Sequence, residues 1–169
     1  MNYYDNEVLI VPANATIDAI IDPQCGIYEC PVAKKGQYYA RAKGCPLFIA
    51  YKSDGEIKTL YRIKEVIEVD FGNLATIKPV ALKKRIDQYK KHNPGVSGLK
   101  WVFLIDYKHS IDLYYPVMIP SGARGNEYRI LKEIFNSPVS VVNGRIVVML
   151  PPKSVGKNTS SQPVNNSIL

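Results

Sequence analysis

The pattern of apolar and polar residues predicts that the chain begins with a buried strand followed by a short helix. The stretch "NEVLIVPA", residues 6–13, is short, apolar and rich in β-branched side chains, as buried strands are. In the next stretch, Ile17, Ile20 and Ile21 recur at helical spacing, and Pro23 follows them. We therefore expect one strand and one helix before a proline ends the regular pattern.

A long β-hairpin is predicted in the middle of the chain. Residues 24–44 show no clear period and indicate a long loop or an irregular edge strand. From Leu47 the period becomes two, and both faces of "LFIAY" are apolar, which predicts a central strand. The sequence "KSDGE" joins it to a second alternating run, and Asp54-Gly55 is a strong hairpin signal. The sheet is expected to continue through residues 66–80.

The next segment, "ALKKRIDQYKKHN", predicts an amphipathic helix over residues 81–93. Leu82, Ile86 and Tyr89 share one face and should be buried. The rest of the helix surface is expected to carry five basic residues: Lys83, Lys84, Arg85, Lys90 and Lys91.

The second half predicts two strands, a helix and a hairpin. "LKWVFLIDY" and "IDLYYPVMIP" read as two strands separated by "KHS", and "RGNEYRILKEIFNS" reads as a third helix. Ile130, Leu131, Ile134 and Phe135 are expected to form its buried stripe. "VSVVNGRIVVML" predicts a hairpin turned by the Asn-Gly pair.

These elements predict a single α+β domain over residues 1–150, followed by a flexible C-terminal tail over residues 151–169. Tight turns join most of the strands, so we expect a mainly antiparallel curled sheet or small pseudobarrel, with about three short helices. The tail has too few apolar residues to pack.

Composition narrows the classes of function. Hydrophobic residues make up 46% and charged residues 22% of the 169 positions, as in globular domains. No apolar run is long enough to span a bilayer, and no signal peptide is predicted, so we expect a cytoplasmic protein without a membrane partner. Three cysteines predict neither a disulfide framework nor a zinc site, and no cofactor is predicted.

The charge is unevenly distributed along the chain. The first 32 residues contain five acidic residues and no lysine or arginine, while the remainder holds all 22 basic residues and ten acidic ones. A strongly positive region attracts polyanions and raises their rate of encounter. DNA or RNA is therefore the predicted partner, and an acidic protein surface is the alternative.

Asp54, Glu56 and Lys58 support two interpretations. Two carboxylates and a lysine between strands are typical of the metal site of a restriction-type nuclease, in which they activate a water molecule. The same residues fit a solvated hairpin tip, since Asp54-Gly55 already explains the turn. We favour the turn, and keep the metal-dependent nuclease as an alternative function.

The loop "ECPVAKKGQYYARAKGCP" is the main candidate for nucleic-acid binding. Basic side chains can contact phosphates, and tyrosine rings can stack on bases. Alternatively, the tyrosines pack inward and the lysines form a solvated rim. The candidate residues of this loop are Lys34, Lys35, Tyr38, Tyr39, Arg41 and Lys43.

Three more basic residues complete the predicted site. Arg124 and Arg129 flank Asn126 near a predicted helix start, where free amides and arginine favour an anion. The alternative is an ordinary capped helix with surface arginines. Lys84, on the basic helix, is expected to assist.

The sequence also resembles a known superfamily. "YYARAKGCPLFIAYKSDGEIKTLYRIKEVIEVD" resembles the centre of PUA-like domains, including the EVE and ASCH types, which have a basic loop, a strand, a turn and another strand. "SGARGNEYRILKEIFNSP" is similar to their late arginine and short helix. The resemblance covers residues 8–150, with Gly44-Cys45-Pro46 in place of the usual Gly-Asp.

The resemblance implies a pseudobarrel that binds RNA or a modified DNA base in a cleft between the barrel and its helices. It favours a non-enzymatic reader. Since fold alone does not determine function, the nuclease and a protein-interaction or inhibitor module remain alternatives.

Overall fold

A computed structural model describes residues 2–13, 17–32, 44–119, 126–135, 139–142 and 145–148. Its strands are β1 (Asn2–Pro12), β2 (Ile27–Pro31), β3 (Gly44–Lys52), β4 (Glu56–Asp70), β5 (Leu99–Met118), β6 (Glu127–Ile130), β7 (Val139–Val142) and β8 (Arg145–Val148). Its helices are α1 (Ile17–Ile21), α2 (Val80–His92) and α3 (Leu131–Phe135), with a 3₁₀ turn at Leu74–Thr76.

The α+β class is confirmed, and the main sheet is mixed. Six strands pair in the order β2-β5-β4-β3-β1-β6, and β7 pairs with β8 in a separate hairpin. Every pairing in the main sheet is antiparallel except that of β1 with β3. A parallel pair arises here because α1 and β2 intervene between β1 and β3, so no tight turn joins them.

Of the two predicted forms, a curled sheet or a small pseudobarrel, the described strands do not form a closed barrel: their sheet is open, with β2 and β6 at its edges. The two edges nevertheless approach each other. The Asn126 amide, immediately before β6, donates a hydrogen bond of 2.5 Å to the phenolic oxygen of Tyr28 on β2. Three register shifts between β4 and β5 allow such curling, because bulges bend strands. The sheet is thus strongly curled, and a side chain rather than a backbone ladder links its edges.

Apolar side chains fill both faces of the sheet. One face, which we call the inner face, buries Leu9, Ile49, Ile63, Phe103 and Ile105. The opposite face is covered by two helices: α2 packs on the ends of β2, β4 and β5, and α3 packs on β1 and β3. As predicted, β3 is apolar on both sides, with Ile49 and Tyr51 in the inner cluster and Phe48 and Ala50 in the other.

Several predicted elements are confirmed: α1, α2, the β3–β4 hairpin and the pairing of β7 with β8. The two strands expected on either side of "KHS" instead form the single strand β5. Ser110 explains this continuity, since its hydroxyl accepts the amide of Arg62 at 3.0 Å and donates to the carbonyl of Asp106 at 2.8 Å. The polar segment therefore stays attached to β4.

The predicted third helix was wrong over its first half. Among the described residues of this segment, 127–130 form β6, which pairs with the free edge of β1, and 131–135 are helical. Ile130 is consequently 43% exposed, whereas Leu131 and Ile134 are buried as predicted. The sheet also ends earlier than expected, at Asp70, whose carboxylate accepts the amide of Gly72 in a turn. The tail prediction concerns residues outside the described part.

Candidate functional site

Most of the sequence-predicted site lies outside the described residues, namely Lys34, Lys35, Tyr38, Tyr39, Arg41, Lys43 and Arg124. The structure places the other two, Lys84 and Arg129, far apart in the fold. Lys84 is exposed on α2, which packs beneath the β2 side of the sheet, whereas Arg129 lies on β6 at the other edge. These two residues are therefore not brought together.

Arg129 already has a carboxylate partner. Its guanidinium lies 3.1 Å from Oε2 of Glu127, and Oε1 of Glu127 lies 3.8 Å from Nζ of Lys52. Because alternate strand residues point to opposite faces, these groups lie on the face opposite Tyr128. An anion would have to compete with Glu127 for Arg129.

The Asp54, Glu56 and Lys58 group adopts the predicted hairpin turn. Asp54 and Gly55 both have positive φ, 53° and 83°, as a type I′ turn requires. Lys58 Nζ lies 4.0 Å from Oε2 of Glu56, and the Lys58 side chain is 61% exposed. Within the described ranges, no group of three or more His, Cys, Asp or Glu could hold a metal ion.

The outer surface of α2 carries a cluster of positive charge, which we call the basic face. It consists of Lys83, Lys84, Lys90 and Lys91, of which all but Lys90 are exposed. None of the four has an ion-pair partner among the residues that the structure describes. Asp87 is the helix's single acidic residue. The arrangement suits a multivalent anion, because lysine ammonium groups on one helix can contact successive negative charges.

Arg85 was expected on this surface, but it points inward. Its guanidinium donates to three carbonyl oxygens, those of Cys25 at 2.6 Å, Ile105 at 3.1 Å and Gly26. Burial lowers the pKa of Arg85. Its role is structural, since these hydrogen bonds connect α2 to the turn after α1 and to β5.

Asp22 is a second connection between α1 and α2. Its carboxylate lies 2.9 Å from Nε2 of His92, and it accepts the amide of Gln88 at 3.0 Å and the backbone N–H of Gln24 at 2.9 Å. The hydrogen bond with His92, then that with Gln88, lowers the pKa of Asp22 to about 2. These contacts hold the C-terminal turn of α2 in place and so orient the basic face.

Five tyrosines, which we call the tyrosine cluster, lie on the inner face of the sheet. The rings of Tyr51 and Tyr61 stack with centroids 6.0 Å apart, and Tyr107 meets Tyr61 edge-on at 6.1 Å. Tyr28 and Tyr128 belong to the same cluster of side chains. Burial raises the pKa of Tyr61 to about 12 and that of Tyr107 still further, so both phenols are neutral at physiological pH.

Sequence reasoning missed this cluster because its members come from five different strands. The period-two pattern places Tyr61 on the face that it shares with Ile63, which was a usable signal. Nothing in the sequence places Tyr107 beside them, since that contact depends on how β5 pairs with β4.

The pKa of Asp22 predicts a dependence of stability on pH. Since this pKa is about 2 in the folded chain against 3.8 ordinarily, the Asp22 contacts stabilise the fold above about pH 4. That contribution disappears as the pH falls through about 2. The difference in free energy of unfolding between wild type and Asp22→Asn should therefore shrink between pH 5 and pH 2 in denaturant titrations. A constant difference across that range would contradict the assigned pKa.

Among the described residues, no helix is long and apolar enough to cross a membrane. Comparison with protein-family models, with curated proteins and with solved structures found no match to this chain.

Proposed function

We propose that this protein binds nucleic acid through the basic face of α2 and acts as a reader domain of the PUA-like kind. The observation that carries the proposal is the set of lysines on that face, which have no carboxylate partner within the described ranges. Positive charge that the described residues do not neutralise is available to phosphates, and release of their counterions drives association.

The spacing of the lysines supports a nucleic-acid strand as the ligand. Lys84 and Lys91 are seven residues apart, which is about 10 Å of helix rise. Three base pairs of duplex span about 10 Å along the axis. Lysines two turns apart on α2 can therefore each reach a phosphate within a stretch of about three base pairs.

The tyrosine cluster supports the reader part of the proposal. Tyr51, Tyr107 and Tyr128 are half-buried rather than fully buried, and aromatic rings stack on unpaired bases. Tyr107 and the inward-pointing Arg85 of α2 both lie close to Gly26, so the cluster and the basic face, which lie on opposite sides of the sheet, come nearest to each other around this edge. A modified base of DNA or RNA, displaced from its stack, is the proposed ligand of this face.

Charge reversal on the basic face tests the proposal. Lys83→Glu/Lys84→Glu/Lys91→Glu should weaken binding to single-stranded and duplex oligonucleotides roughly 100-fold or more at low salt, because three phosphate contacts become repulsive. Fluorescence anisotropy measures the affinity, and circular dichroism verifies the fold.

The matched control reverses three exposed lysines elsewhere, Lys58, Lys108 and Lys132, so that net charge falls equally. The affinity of this control for oligonucleotides should fall at most about tenfold, since the change affects only the long-range electrostatic field of the protein. Equal losses in the two variants would mean that α2 is not the binding surface. If the wild-type protein bound no nucleic acid at all, an acidic protein would become the better candidate for the partner of the basic face.

A further inference from the structure

A bulge in β5 presents two adjacent tyrosines to solvent. Thr59 pairs with Asp112 and Ile57 pairs with Val117, so two steps along β4 correspond to five along β5. Residues 113–116, which we call the tyrosine bulge, therefore lie opposite a single residue of β4, three more than a regular ladder would place there. Leu113 anchors it in the core, and Pro116 has no N–H that the ladder would need.

The exposure of this bulge is unusual for aromatic side chains. Tyr114 and Tyr115 are each 75% exposed, and nearby Met118 is 64% exposed. The two rings contact each other at right angles with centroids 4.6 Å apart. Tyrosine and methionine are favoured in protein interfaces, and a contiguous exposed group of them indicates a contact surface.

The surroundings of the bulge are acidic although the whole chain is basic. Asp54 and Glu56 lie on the turn that contacts Met118, and Asp112 directly precedes the bulge. With Lys58, these three carboxylates leave a local formal charge of −2 on a chain of net charge +7. Phosphates would be repelled here, so the bulge is not part of the proposed nucleic-acid interface.

We infer that the tyrosine bulge binds the basic face of α2 in a second copy of this chain. The two surfaces are complementary. The tyrosine bulge has an apolar tip with an acidic rim, and the basic face of α2 has lysines beside Val80, which is 74% exposed. Opposite charges across an interface favour its formation and fix its orientation.

One molecule cannot make this contact with itself. The bulge lies beside Thr59 near the start of β4, whereas α2 packs against Val69 near its end. Ten residues of strand between them span roughly 30 Å. The contact is therefore head-to-tail and, unless it closes into a ring, extends into chains of molecules.

Sedimentation velocity over a concentration series tests the inference. Wild type should show a weight-average sedimentation coefficient that rises with concentration at about 50 mM salt and rises much less at about 500 mM, where charges are screened. Tyr114→Ser/Tyr115→Ser, the bulge variant, should weaken self-association at least tenfold. Circular dichroism verifies its fold. At concentrations where wild type is monomeric it should retain wild-type affinity for oligonucleotides, which separates this inference from the proposed function.

A mixing experiment identifies the two surfaces. The bulge variant keeps its basic face, and the charge-reversed α2 variant keeps its bulge, so neither should associate alone. Mixed in equal amounts they should form a dimer and nothing larger. A wild type that stays monomeric at all concentrations, a bulge variant that assembles like wild type, or a mixture that stays monomeric would each overturn the inference.

Discussion

Gly26→Ala should destabilise the protein by about 2–4 kcal/mol, lowering the melting temperature by roughly 5–15 °C. Gly26 has φ 57°, a conformation that costs alanine about 1 kcal/mol. An added Cβ would also lie 2.6 Å from Nη2 of Arg85 and 2.8 Å from Cε2 of Tyr107. Neither group can move aside cheaply, since each is held by hydrogen bonds to backbone carbonyls.

Two other glycines separate the backbone cost from the steric cost. Gly98 also has positive φ, 68°, but a Cβ there would meet no atom within 4 Å, so Gly98→Ala should cost only about 1 kcal/mol. Gly95→Ala, with open space and no positive φ, should change stability by less than about 0.5 kcal/mol. Equal losses of stability for Gly26→Ala and Gly98→Ala in thermal melts would contradict the steric cost assigned to the close contacts around Gly26.

Arg85→Met should destabilise the fold by about 3 kcal/mol in denaturant titrations. Methionine keeps much of the apolar stem but removes the guanidinium, leaving the carbonyls of Cys25 and Ile105 without this donor. Hydrogen bonds to a charged group contribute about 1.5–3 kcal/mol each, and partial access of water reduces the sum.

The neighbouring residue supplies the control for Arg85. Lys84→Met makes a similar change on the exposed side of α2 and should alter the free energy of unfolding by less than about 0.5 kcal/mol. Arg85→Lys should recover only part of the loss, because one ammonium cannot reproduce the planar fork that reaches three carbonyls. Equal stabilities of Arg85→Met and Lys84→Met would place Arg85 on the surface, as the helical pattern alone suggested.

Arg85 illustrates what local pattern can and cannot predict. Periodicity located α2 to within one residue at each end and identified Ile86 and Tyr89 as buried. It could not show that one cation in a basic run turns inward, because its carbonyl partners come from a distant turn and from β5. The change from lysine to arginine within that run was the available signal, since arginine suits multiple acceptors.

The local sequence pattern predicts the sheet with similar limits: turns are predictable, and pairing between distant strands is not. Asp54-Gly55 predicted its hairpin correctly because the turn depends on local backbone conformation. "EYRI" was mistaken for helix because a strand of four residues forms only where the edge of β1 is free to accept it. The tyrosine cluster likewise depends on pairing between distant strands, which hydrophobic alternation does not encode.

The most direct test of the central claim is the salt dependence of nucleic-acid binding by the wild-type protein. If three lysines of α2 contact phosphates, the slope of log K against log salt concentration should be about −2 for single strands and about −3 for duplex. Affinity at low salt should be tighter than about 100 μM, the weak end of non-specific binding. Weaker binding than this, or a slope near zero, would contradict nucleic-acid binding through α2.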